Sequence, residues 1–140
     1  MWEYCEGGSA FEDVSAGYWA CKYIETLRLN GYVTGDGRDY YPEGIVTRAV
    51  AAIYLLRAVH GSDYVPPRPT QETLVFEDVS ADDWYAGWVT QLYEAGITKG
   101  CRTDFGGLYY CPLRPLSRAE AATFWVRVLN GPDYIPEGRA

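Results

Sequence analysis

Few residues of this 140-residue chain could carry chemistry: four cysteines, a single histidine, and two arginines that recur in one setting. Thr47-Arg48-Ala49 and Ser117-Arg118-Ala119 each place a guanidinium one residue past a hydroxyl that would cap a helix. The planar fork of Arg48 or Arg118 matches a carboxylate or ketal of an acidic sugar. The same placement equally suits a helix-start arginine paired with a nearby Asp or Glu. Burial separates the two uses: exposure in a groove fits an anionic ligand, and burial in a pair fits assembly.

Cys101 and Cys111 bracket Arg-Thr-Asp-Phe-Gly-Gly-Leu-Tyr-Tyr and read as a loop stapled at its base. Closing so short a loop is worth roughly 2–3 kcal/mol. Zinc is the competing reading, but CxxC spacing is absent and the one histidine, His60, falls on an expected helix. Cys5 and Cys21 remain, and pairing them would tie a ten-residue leader onto the first helix; a bridge between chains is the alternative. An even count that pairs favours an oxidising compartment, so the chain is expected to be secreted, its signal already removed.

Asp13 and Asp78 are expected to hold local backbone amides ahead of a helix rather than a cation, since two isolated carboxylates are too few for calcium. His60 stands at a helix end with no nucleophile or acid placed beside it. No Walker loop, GxSxG elbow, HExxH or paired-acid motif occurs, so neither an enzyme nor a cofactor is expected. The net charge of −7 argues against a nucleic-acid partner. The longest apolar run, Ala49–Leu56, is far short of the roughly 20 residues that cross a bilayer, which argues against membrane insertion.

The elements that must position these residues come in two copies. Phe11-Glu-Asp-Val-Ser15 recurs letter for letter as Phe76-Glu-Asp-Val-Ser80, and a shift of 65 also aligns Trp19 with Trp84, Leu27 with Leu92, Gly31 with Gly96 and Gly35 with Gly100. After five inserted residues the match resumes at Pro42 and Pro112 and runs to Pro66 and Pro136. In each copy Ser15 or Ser80 is expected to cap a first helix ending at Gly31 or Gly96. Trp19, Tyr23, Ile24 and Leu27 form its buried face, as do Trp84, Trp88, Val89 and Leu92. Thr47 or Ser117 caps a second helix, with a full capping box at Ser117-Arg-Ala-Glu120. Its stripe is Ala52, Leu55, Leu56 and Val59, or Ala122, Trp125, Val126 and Leu129. The expected organisation is a leader over 1–10, repeats over 11–66 and 76–136, a Pro-rich linker over 67–75 and a tail over 137–140.

The order of these motifs resembles the S-layer homology repeat of bacterial surface proteins. Phe11-Glu-Asp-Val, Trp19, Leu27, Gly31-Tyr-Val-Thr-Gly35, Pro42 and Thr47-Arg-Ala49 carry the resemblance, and the second copy repeats it through Ser117-Arg-Ala-Glu120. It implies a mainly α fold, two helix–loop–helix repeats packed as a helical bundle with long loops and short extended segments. It also implies a non-catalytic module of the cell surface whose grooves hold acidic wall polysaccharide, with Arg48 and Arg118 among the binding residues. The chain departs from the pattern in having two repeats where three are usual, and Val50 where the motif has an acid.

Two readings follow from different classes. A chain built only of such units carries no cargo and leaves apolar surface uncovered, so self-association into a surface layer or filament is expected. Trp88, Trp125, Tyr109, Tyr110 and Tyr134 are the candidate contact residues, drawn from thirteen tyrosines and five tryptophans. The alternative is a module that binds wall polysaccharide and anchors a protein to the envelope.

Overall fold

The duplicated Phe-Glu-Asp-Val-Ser explains itself through its third residue. In the computed structural model, which describes residues 5–138, Phe11 and Val14 are buried and so are Phe76 and Val79. The aspartate between each pair reaches across to a distant loop. Asp13 accepts the backbone amides of Tyr40 and Tyr41 at 2.9 and 2.7 Å, and Asp78 accepts those of Tyr110 and Cys111 at 2.9 and 2.7 Å. Tyr41 and Cys111 sit at φ +60° and +58°, a backbone state unfavourable for a side-chain-bearing residue, and the carboxylate clasp holds it in place. The expectation of local amide partners is thus corrected: the bonds exist, but they span about half a copy.

The motif does not open a helix. Successive turns run through it, with Tyr18 N donating to Ser15 O and Cys21 N to Tyr18 O, both at 3.0 Å. In the second copy Asp83 N donates to Ser80 O and Ala86 N to Asp83 O, both at 3.0 Å, and the Asp83 carboxylate accepts Ser80 N–H at 2.8 Å. The helices start only at Cys21 (α1, Cys21–Leu29) and Ala86 (α3, Ala86–Glu94), so Ser15 and Ser80 are not their caps. Trp19 and Trp84 therefore lie on turns, and they are 70% and 56% exposed rather than core. Gly31 and Gly96, at φ +79° and +75°, end these segments as expected.

The second helices follow the sequence closely. Thr47 Oγ1 accepts Val50 N–H ahead of α2 (Arg48–His60). Ser117 and Glu120 form the reciprocal capping box ahead of α4 (Arg118–Asn130). The inserted residues of the second copy form a hairpin of β1 (Arg102–Asp104) and β2 (Gly107–Tyr109), antiparallel with Arg102 opposite Tyr109. Phe105 and Gly106 both take positive φ at its tip, as a primed two-residue turn requires. Cys101 and Cys111 are joined across its base, and Cys5 is joined to Cys21.

The main core is not divided between copies. α2 packs against α3 and α4, burying Ala49, Ala52, Leu55 and Leu56 with Val89, Leu92, Tyr110 and Phe124. A smaller cluster gathers Cys5, Phe11, Val14, Cys21 and Ile24. The expected stripes fail where a helix lacks a neighbour. Leu92 is buried by α2, but its counterpart Leu27 is exposed, and Tyr23, Val59, Trp125 and Leu129 are exposed too. Residue type offered an apolar face, and only an adjacent helix makes that face a core.

Each aspartate clasp replaces two amide–water contacts with charge-assisted hydrogen bonds. Asp78→Ala is expected to lower unfolding free energy by about 2–4 kcal/mol in urea titration, and Asp13→Ala by less because that clasp is exposed.

Candidate functional site

The two arginines that the sequence sets in parallel end in opposite environments. α2 begins where the loop of the second copy runs past it, and its first two amides are taken by that loop. Arg48 N donates to Arg114 O at 3.0 Å and Ala49 N to Pro112 O at 2.8 Å, while Leu116 N donates back to Val46 O at 2.8 Å. These bonds satisfy orphan donors that every helix start carries. They also deliver the Arg48 side chain into the core, where it is 1% exposed.

There Arg48 Nε donates to Tyr110 O at 2.7 Å, Nη1 donates to the Glu120 carboxylate, and the Tyr110 hydroxyl returns a bond to Arg48 O at 2.6 Å. The guanidinium lies 4.6 Å from the Tyr110 ring centre and 5.3 Å from that of Phe124. Nη2 has no hydrogen-bond partner among the described residues. Burial pushes the Tyr110 hydroxyl pKa well up, against the opposing pull of Arg48, which keeps it a neutral donor. Burial also pushes the Glu120 carboxyl up, but Ser117, Arg48 and Arg114 outweigh it and hold that carboxyl below the usual carboxylate range. Glu120 therefore closes its own helix cap, pairs with Arg48 and receives Arg114.

Arg118 has the same sequence setting and none of this enclosure. It is exposed at the start of α4 and makes no hydrogen bond or ion pair among the described residues. Its backbone amide and that of Ala119 likewise have no acceptor among them. Of the two arginines, one is fastened inside the fold and one faces solvent.

The remaining candidates divide the same way. Tyr110 is fully buried, which removes it from the contact surface expected of it, because its ring fills the space beneath Arg48. Trp88 is half-buried, edge-on to Tyr64 at 6.1 Å and beneath Arg57 at 5.5 Å. Tyr109 lies beneath Arg102 at 4.6 Å. Trp125 and Tyr134 are open to solvent. His60 ends α2 and stacks on Tyr64 at 4.2 Å. All four cysteines are spent in disulfides, and no group of His, Cys, Asp and Glu suited to a metal occurs among the described residues. Sequence reasoning missed Glu120 as the partner of Arg48. The signal was present in the acid that the second motif keeps and the first replaces with Val50.

Comparison with known proteins finds the S-layer homology domain over residues 10–52. S-layer protein EA1 of Bacillus anthracis is 36% identical over 107 residues, covering 76% of this chain and 11% of that protein. The S-layer protein of Bacillus licheniformis is 35% identical over the same share of each. Endo-1,4-beta-xylanase A of Thermoanaerobacterium saccharolyticum is 33% identical over 94 residues, 66% of this chain and 8% of the enzyme. The chain thus spans about a tenth of the length of these relatives.

The opposed environments predict opposed costs. Arg48→Ala leaves Tyr110 O unpaired, takes one of the two guanidinium partners of Glu120 and empties a buried site, and should lower stability by about 3–5 kcal/mol, whereas Arg118→Ala should fall within about 0.5 kcal/mol of the parent. Because the Glu120 pKa is lowered in the folded chain, its contribution is complete above the unfolded value and is lost as pH falls through the folded one. Stability measured below about pH 4.5 should accordingly decline less steeply in Glu120→Gln than in the parent.

Proposed function

The chain belongs to the S-layer homology family, and from that premise we propose that it is a non-catalytic cell-surface module that holds acidic wall polysaccharide. Both copies are S-layer homology repeats in this reading, although their arginines have parted in role. Arg48 fastens one copy to the other, and Arg118 is the ligand-facing member of the pair.

The carrying observation is the exposed guanidinium of Arg118, unpaired among the described residues, beside two amides at the start of α4 that have no acceptor among them. A carboxylate or ketal on a sugar meets there a bidentate donor and the positive end of a helix. The relatives support a portable module: a segment shared by surface-layer proteins and by a xylanase accompanies more than one kind of chain. A second reading, self-association at the cell surface into a layer or filament, is favoured by a separate observation, the uncovered apolar faces of α1 and α4.

Co-sedimentation of the chain with purified wall sacculi tests the first reading. Binding should be lost from sacculi stripped of secondary polysaccharide, and Arg118→Ala should weaken it by roughly 10–100-fold, the worth of a charged hydrogen-bonded contact. Undiminished binding by Arg118→Ala would remove the proposed site.

A further inference from the structure

The chain contains one complete docking contact and the two separated halves of another. In the complete contact, α2 packs on α3, and Ala49, Ala52 and Leu56 share one buried core with Ala86, Val89 and Leu92. Aligned by the internal repeat, the same positions fall on Ala119, Ala122 and Val126 of α4, and on Cys21, Ile24 and Leu27 of α1. The α4 positions have no such partner among the described residues; on α1, Cys21 and Ile24 are already buried in the smaller cluster and Leu27 is the position left exposed. A groove on α4 is lined by Ala122, Val126, Arg127 and Tyr134, the counterparts of Ala52, Leu56, Arg57 and Tyr64. A groove beside α1 is lined by Trp19, Tyr23, Leu27, Tyr40 and Pro42, the counterparts of Trp84, Trp88, Leu92, Tyr110 and Pro112. One groove is the vacant form of the surface that receives α3, and the other is the vacant form of the surface α3 presents.

The polar groups repeat the pattern. Where Arg48 and Ala49 donate to the carbonyls of Tyr110, Pro112 and Arg114, Arg118 and Ala119 carry the same donors unused. The aligned carbonyls of Tyr40, Pro42 and Gly44 accept no hydrogen bond among the described residues. Val50 stands where Glu120 pairs with Arg48, so the repeated contact lacks that carboxylate. Its rim offers Glu43 instead, held by the Tyr18 hydroxyl.

We propose that α4 of one molecule docks on α1 of a second copy of this chain, reproducing between molecules the α2–α3 contact within each. Donors lie on one side and acceptors on the other, so the contact is head-to-tail, and it propagates unless it closes into a ring. To be specific it must bury about 1,000 Å² or more. It rests on the self-association reading and stands whether or not the chain binds polysaccharide. Docking covers Arg118, so a polysaccharide and a second copy exclude each other at that end of α4.

Light scattering over a concentration series tests it with two variants at exposed positions. Ala122→Glu blocks the α4 surface and Leu27→Asp blocks the α1 surface, and each leaves the other intact. The parent should gain mass with concentration, and each variant should remain a single chain with an unchanged circular dichroism spectrum. An equimolar mixture should form a pair and stop there, because the intact α4 surface of one variant takes up the intact α1 surface of the other and both surfaces left over are blocked. Tyr23→Asp replaces Leu27→Asp if the latter fails to fold. A parent that stays monomeric to about 1 mM, association that survives Ala122→Glu, or a mixture that does not pair overturns the proposal. Retained sedimentation of Ala122→Glu with sacculi separates loss of docking from loss of polysaccharide binding.

Discussion

Among the described residues, the hydrogen bonds that join one copy to the other all converge on the start of α2. A charged guanidinium buried to 1% exposure is costly to desolvate, and it is tolerated because two rings, a carbonyl and a carboxylate surround it. Those partners come from three places in the second copy: the end of the hairpin, the capping box of α4 and the side chain of Phe124. Arg48 can be satisfied only when all three are in position. The junction is therefore specified by polar geometry, while the apolar contact of α2 on α3 supplies area with less demand on register.

The duplicated aspartates serve the same end from beneath. Asp78 fixes the left-handed turn at Cys111, and that turn aims Tyr110 O at Arg48 and Pro112 O at the amide of Ala49. Asp13 builds the same turn at Tyr41, and among the described residues no helix start takes up the carbonyls beside it. A close approach at each loop start shows how tightly both are drawn. A side chain at Gly35 or Gly100 would put its Cβ 2.3 Å from Asp39 O or 2.7 Å from Tyr109 O. The two loops are built alike, and only one is occupied.

The sequence was legible wherever the signal is local. Thr47 and Ser117 as caps, the box at Glu120, the glycine ends of α1 and α3, and the apolar stripe Ala52-Leu55-Leu56 all depend on neighbours within a few residues. It misled where burial depends on what lies opposite. Trp19 and Trp84 carry a helical phase, yet they sit on chained turns because Asp83 and the Ser15 and Ser80 carbonyls close three-residue steps before the helix begins. Leu27 and Leu92 are identical letters in matched places, and only Leu92 has α2 above it. The same limit hid the role of Arg48. Its motif differs from that of Arg118 only in its opening hydroxyl residue and in Val50 for Glu120, and the burial of one guanidinium rather than the other follows from which loop passes the helix start.

Cys111 stands between Tyr110 and Pro112, the two residues whose carbonyls grip the first turn of α2, so the disulfide to Cys101 lies at the root of the junction rather than on its rim. Oxidation shortens the excursions of that loop in the unfolded chain and brings it near the geometry in which it must meet Arg48. The bond thereby acts on the junction through the unfolded chain: a loop already closed at its base has less freedom left to lose when its two carbonyls come to rest on α2.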